Sequence, residues 1–170
     1  RLRISGNYLI DEFVIDKTQK DQGKGHGNGY SLKFVFSPII NETIFSSLYV
    51  SIISIGTNTF KHEDGRNNFV QRNKPLGWVN GSDTRELKIG INTISKLNKF
   101  FLDIEFGTLE IGEENILNQP YAGYDFYSSG KFPSGNVEKV LVLKRLKGPS
   151  NHGRCSGEVA GLLVWVSDVE

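Results

Sequence analysis

The chain has 170 residues, a formal net charge of +1, 38% apolar and 23% charged residues, which suits one globular domain with a single core. That balance excludes a strongly basic nucleic-acid surface, and the one basic run, LKRLK (Leu143 to Lys147), reads as a solvated strand end. No apolar run approaches the ~18 residues of a transmembrane helix, LYVSIISI being the longest candidate, so neither a nucleic-acid partner nor membrane insertion is expected.

Two absences bear on compartment and chemistry. Methionine is missing and the chain opens at Arg1, which reads as a processed or excised part of a longer exported protein, secreted or held at a cell surface. Cys155 is the only cysteine, so no disulfide can form within the chain.

In chain order, a first strand is expected over Leu9 to Ile15, followed by a Gly-rich loop, GKGHGNG, that carries His26. Tyr30, Leu32, Phe34 and Phe36 alternate with Ser31, Lys33 and Val35, the period-two pattern of a half-buried strand. LYVSIISI (Leu48 to Ile55) is apolar in both phases and reads as a central strand covered on two faces. A polar excursion follows, KHEDGRNNFVQRNKPLGWVNGSDTRE (Lys61 to Glu86), with one of the two tryptophans in it. Leu87, Ile89 and Ile91 resume the alternation. Phe100, Leu102, Ile104 and Phe106 continue it, with Asp103 and Glu105 on the opposite side, expected to be a solvated outer surface.

GEENILNQ (Gly112 to Gln119) is the best helix candidate, one or two turns stopped by Pro120. A tyrosine-rich loop, YAGYDFYSSG, precedes two further covered strands, VEKVLVLKRL (Val137 to Leu146) and VAGLLVWVS (Val159 to Ser167). The expected fold is therefore all-β: an antiparallel β-sandwich, jelly-roll or immunoglobulin-like, in a single domain spanning 1–170. Its long loops, Lys17–Gly29, Thr57–Gly77 and Gln119–Asn136, are where binding groups are expected.

Catalytic patterns are thin. NHGRCSGE around Cys155 lacks a nucleophile elbow, and no GxSxG occurs. Asp103 and Glu105 are the carboxylate pair that a polysaccharide-acting enzyme would use, a third reading. His26, His62 and His152 stand in three loops without ligand spacing, so no metal is expected, with those three as the alternative set. No cofactor is expected.

Carbohydrate binding fits better. A sugar offers hydroxyls to amides and carboxylates and an apolar face to an aromatic ring. The excursion and its border supply Asn58, Asp64, Arg66, Asn67, Trp78, Asn80 and Asp83, and the tyrosine-rich loop adds Tyr124 and Asp125.

The run LYVSIISIGTNTFKHEDGRNNFVQRNKPLGWVNG, with its apolar strand, turn, polar loop and Gly-Trp strand, resembles the central part of the lectin domains of bacterial two-domain fimbrial tip adhesins; VEKVLVLKRLKGPS resembles a late strand of those domains. The turn GTNT lacks the acidic residue that family members binding N-acetylglucosamine use there, so that specificity is not carried over. The resemblance implies a non-enzymatic adhesin domain that attaches to a host glycan or glycoprotein receptor and is joined to a pilin domain in the full-length protein. The alternative is a structural module of a pilus, phage or virion.

Overall fold

A computed structural model describes residues 1–21, 25–62, 70–72, 74–95, 100–118, 132–147 and 160–166. The chain runs as β1 (Leu2–Glu12), a short helix α1 (Lys17–Asp21), β2 (Gly27–Ile40), β3 (Ile44–Ile55), β4 (Val70–Gln71), β5 (Lys74–Pro75), β6 (Thr84–Ser95), β7 (Phe100–Ile111), β8 (Glu138–Lys147) and β9 (Ala160–Val166). The all-β, antiparallel fold expected from the alternation is observed.

The large sheet has seven strands in the order β1-β2-β3-β6-β7-β8-β9, and β4 and β5 form a separate ribbon inserted between β3 and β6. Every neighbouring pair in the large sheet is antiparallel, so the chain is an up-and-down meander. The crossing connection of a jelly roll or immunoglobulin domain does not occur among the described strands.

Two local expectations are corrected. β1 spans Leu2–Glu12 and not Leu9–Ile15, because its residues from Leu2 to Ile10 pair one for one with Phe36 back to Asn28. The segment 112–118 makes turns and no helix; Asn115 and Asn118 donate their N–H groups only three residues back, to Gly112 and Asn115. The tight β2–β3 connection is fixed by Asn41, whose Oδ1 accepts the N–H groups of Thr43 (3.1 Å) and Ile44 (2.5 Å), the Asx-turn that suits Asn at that place.

Register carries two chemically distinct faces across the sheet. One is built from the rows Leu2–Phe36–Leu48–Ile91–Ile104, Ile4–Phe34–Val50–Ile89–Phe106 and Gly6–Leu32–Ile52–Leu87–Thr108. The other carries Val35–Tyr49–Gly90–Glu105, Lys33–Ser51–Lys88–Gly107 and Ser31–Ile53–Glu86–Leu109. In a water-soluble sheet the apolar face is the buried one. Here it is the reverse. Phe36, Ile89 and Phe106 are 51%, 55% and 52% exposed, whereas Tyr49, Glu86 and Asp103 are 6%, 3% and 9% exposed.

The inversion is general. Among the described residues 23 large hydrophobic side chains are exposed and seven hydrophobic ones are buried, while 13 polar or charged ones are buried. Each strand of the large sheet packs on its sheet neighbours, and the other sheet among the described residues is the two-stranded β4–β5 ribbon. Part of this mixed polar face is covered by the connections at one end, where Phe60, Trp78 and Ile116 pack with Ile53 and Ile55. Asp103 and Glu105, expected to be a solvated outer surface, stand on this inner face. Alternation fixed their phase correctly and their side wrongly.

Candidate functional site

Antiparallel succession puts the strand ends joined between β1 and β2, β3 and β6, and β7 and β8 at one end of the sheet, and those joined between β2 and β3, β6 and β7, and β8 and β9 at the other. At the first end the described parts of the connections are stitched together by polar side chains. Asp83 is fully buried, with its backbone in the left-handed region (φ +56), a conformation that Asp tolerates. Its Oδ1 accepts Thr57 Oγ1 (2.9 Å) and the Ser134 N–H (3.0 Å), and its Oδ2 accepts Ser134 Oγ. One carboxylate thus joins the exit of β3, the entry of β6 and the approach to β8.

Asn115 adds a second tie. Its Nδ2 donates to the carbonyls of Asn80 (2.7 Å) and Ser82 (2.6 Å), and the Ile116 N–H donates to Ser82 Oγ (3.0 Å). Lys61, only 2% exposed, donates from Nζ to the Glu114 carbonyl. Burial pushes the Lys61 ammonium from 10.5 down to about 8, against the opposing pull of the Glu114 and Asp83 charges. Burial likewise pushes the Glu114 carboxyl up; Lys61 counters this, and Asp83 and Glu113 reinforce it.

Next to this knot the connection folds back over the inner face. Ile55, Phe60 and Ile116 form a buried apolar cluster, with Ile53, Val70 and Trp78 packed on it. Phe60 holds φ +69, which costs a bulky residue roughly 1–2 kcal/mol. Two contacts maintain it: the Phe60 N–H donates to Asp11 Oδ2 at 2.7 Å, and its ring lies on Gly77, where any Cβ would collide. A cavity of about 530 Å³ opens beside the cluster, lined by Phe60, Trp78, Ile53, Ile55, Tyr8 and Tyr30 among others. Two buried polar atoms at this end, Trp78 Nε1 and Asn58 Oδ1, have no hydrogen-bond partner.

Four expected ligand residues, Asn58, Trp78, Asn80 and Asp83, are therefore brought to one end of the sheet. Asp83 is corrected from a ligand contact to an internal tie, since it is closed to solvent and both carboxylate oxygens are taken. Asn80 contributes its carbonyl to the same knot. Asp64, Arg66, Asn67, Tyr124 and Asp125 lie outside the described residues, as do His152 and Cys155. Of the alternative metal set, His26 uses Nδ1 to accept the Val14 N–H (3.1 Å) and stacks on Phe13 at 4.6 Å between centroids. Among the described residues no group of three or more His, Cys, Asp or Glu is placed to hold a metal ion.

Sequence reading missed the charged network at mid-height of the inner face. Tyr49 reaches across Gly90 and donates to Glu105 Oε2 at 2.5 Å. Lys88 Nζ stands 3.0 Å from Glu86 Oε2 and 3.4 Å from Glu105 Oε1. Gly90 is what permits this: a Cβ there would run into the Tyr49 ring. The signal was available as Gly90 and Gly107 in the middle of strands, in the same phase as the charges, since glycine in a strand interior marks close approach.

No protein-family model, no curated protein and no solved structure matches the chain.

Proposed function

We propose that this chain is a length of wall of a membrane-spanning β-barrel, with its apolar face against lipid hydrocarbon and its inner face lining a hydrated lumen. The observation that carries the reading is the inverted alternation across β1 to β7: exposed Leu, Ile and Phe rows outside, and inside a mixed face on which Lys33, Tyr49, Glu86, Lys88, Asp103 and Glu105 stand among Val35, Ile53 and Leu109. Water penalises such a sheet, because exposed apolar patches beyond a few hundred Å² are rare on soluble monomers. A bilayer favours it, and barrel strands alternate apolar-out and polar-in.

The dimensions agree. From Tyr30 to Ile39, β2 presents apolar side chains outward over about 30 Å of strand, or roughly 23 Å of height at a barrel-like tilt, close to the ~25 Å apolar band of such proteins. Two short connections at one end and three long ones at the other also follow the barrel pattern of short turns opposite long loops, with 148–159 as the exception. The open edges of β1 and β9 must be paired in hydrocarbon, with each other or with further strands. Among the described residues no helix is long and apolar enough to cross a membrane. The expectation of no membrane insertion rests on a 38% apolar content and on helix length, and helix length has no bearing on strands.

A surface-exposed bilayer is also where an exported adhesin would act, and glycan attachment without catalysis is the second reading. It is favoured by the unpartnered Trp78 Nε1 and Asn58 Oδ1 near a cavity at the long-loop end, and a glycan screen with Trp78→Ala tests it. For the wall itself, the test is refolding with and without lipid. The chain should acquire β-sheet circular dichroism and float with liposomes; a folded, monodisperse monomer in plain buffer that stays off liposomes defeats the reading.

A further inference from the structure

At the short-turn end, the inner face opens into a cavity of about 750 Å³ lined by Arg1, Arg3, Lys33, Ser47, Tyr49 and Asn92, among others. Its charge is one-sided. The lining contains three cationic side chains and no carboxylate. Two nearby inner-face acids are engaged with other groups, Glu105 with Tyr49 and Lys88, and Glu86 with Lys88; Asp103 stands opposite Asn92 in register, outside the lining. Lys33 is held with Nζ 4.3 Å from the centroid of the Tyr49 ring, and the α-amino group of Arg1 donates to the Ser37 carbonyl at 2.9 Å. Among the described residues neither the two guanidinium groups nor the Lys33 ammonium makes an ion pair.

We propose that this cavity is a binding site for an oxyanionic solute, a phosphoryl, sulfate or carboxylate group held by Arg3 and Lys33. Three points support the assignment. Guanidinium and ammonium groups clustered without counter-charges create a positive potential that low-dielectric walls focus into a cleft. Arginine forks and hydroxyl or amide donors match the geometry of an oxyanion. The volume lies within the range of small-molecule sites. The proposal rests on the barrel reading in one respect, that the inner face is a hydrated and enclosed surface; the charges themselves are placed by β1, the residue before it, and β2.

The test is calorimetric titration of the refolded full chain, in detergent, with inorganic pyrophosphate in one arm and an oligogalacturonate in the other, to separate a phosphoryl from a carboxylate source. Binding in either arm should weaken with added salt and fall roughly tenfold or more in Arg3→Gln/Lys33→Gln. It should survive in Lys33→Arg and in the control Lys17→Gln on α1. No binding in either arm, or equal binding in the double variant and the control, overturns the site. Liposome flotation of the same preparations reads the wall separately, so floating without anion binding removes this inference alone.

Discussion

Replacing Ile89 with lysine separates a lipid-facing sheet from a water-facing one. Ile89 lies in the middle of β6, between Val50 of β3 and Phe106 of β7 in register, and is 55% exposed. In water, charging such a position changes stability by roughly 0.5 kcal/mol, or up to about 1 when lost strand propensity is included. Against hydrocarbon at mid-height, a lysine on a barrel costs about 2–4 kcal/mol, a factor of roughly 30 to 1,000 in the folded population.

Depth supplies an internal control. Ile39, near the end of β2 and 47% exposed, stands close to the interface, where the same lysine should cost only about 0–1 kcal/mol. The assay is urea unfolding in lipid vesicles, with free energies from linear extrapolation and Ile89→Thr as the uncharged reference. A cost for Ile89→Lys within about 0.5 kcal/mol of Ile39→Lys, with both near the parent, refutes the lipid-facing assignment.

Other substitutions probe the interior. Asp83→Ala strips the acceptor shared by Thr57 and Ser134 and should cost about 2–4 kcal/mol in denaturant; a neutral result contradicts its role as the tie between connections. Gly90→Ala forces a methyl into the Tyr49 ring and should cost about 1–3 kcal/mol, and that cost should shrink in a Tyr49→Ala background. Lys61 gives a pH signature of known sign. Its folded-state value, about 8 against 10.5, means the unfolded chain binds more protons between those limits, so stability rises with pH across that window and is flat below it. Lys61→Met should flatten the rise in a thermal-melt series, and an unchanged profile rules out a buried Lys61.

The strands were legible because period-two alternation dictates which side chains share a face, and the rows through Phe34, Ile89 and Phe106 follow from it directly. Which face meets the surroundings was not legible. Alternation is symmetric under exchange of inside and outside, so Asp103 and Glu105 were assigned to water while the structure turns them inward. The site was legible only in part. Trp78 and Asn80 do come to the long-loop end, where Asn, Asp and aromatic residues were expected to gather. Asp83 was misread because its carboxylate is claimed by Thr57 and Ser134, partners far away in sequence whose approach depends on three connections converging. The basic cavity was hidden for the same reason: Arg3, Lys33 and Asn92 belong to three strands, with Arg1 just before the first, and only register brings them together.

Spin labels placed singly at residues 86 to 89 and 91 of β6, in a Cys155→Ser background and on chain reconstituted in liposomes, test the central claim most directly; position 90 is left as glycine because a side chain there meets the Tyr49 ring. Collisional access to oxygen dissolved in the bilayer should peak at 87, 89 and 91, and access to a water-soluble nickel reagent at 86 and 88. The reverse phase, or equal access of the nickel reagent to all five positions, would mean that the Leu87–Ile89–Ile91 side does not face hydrocarbon.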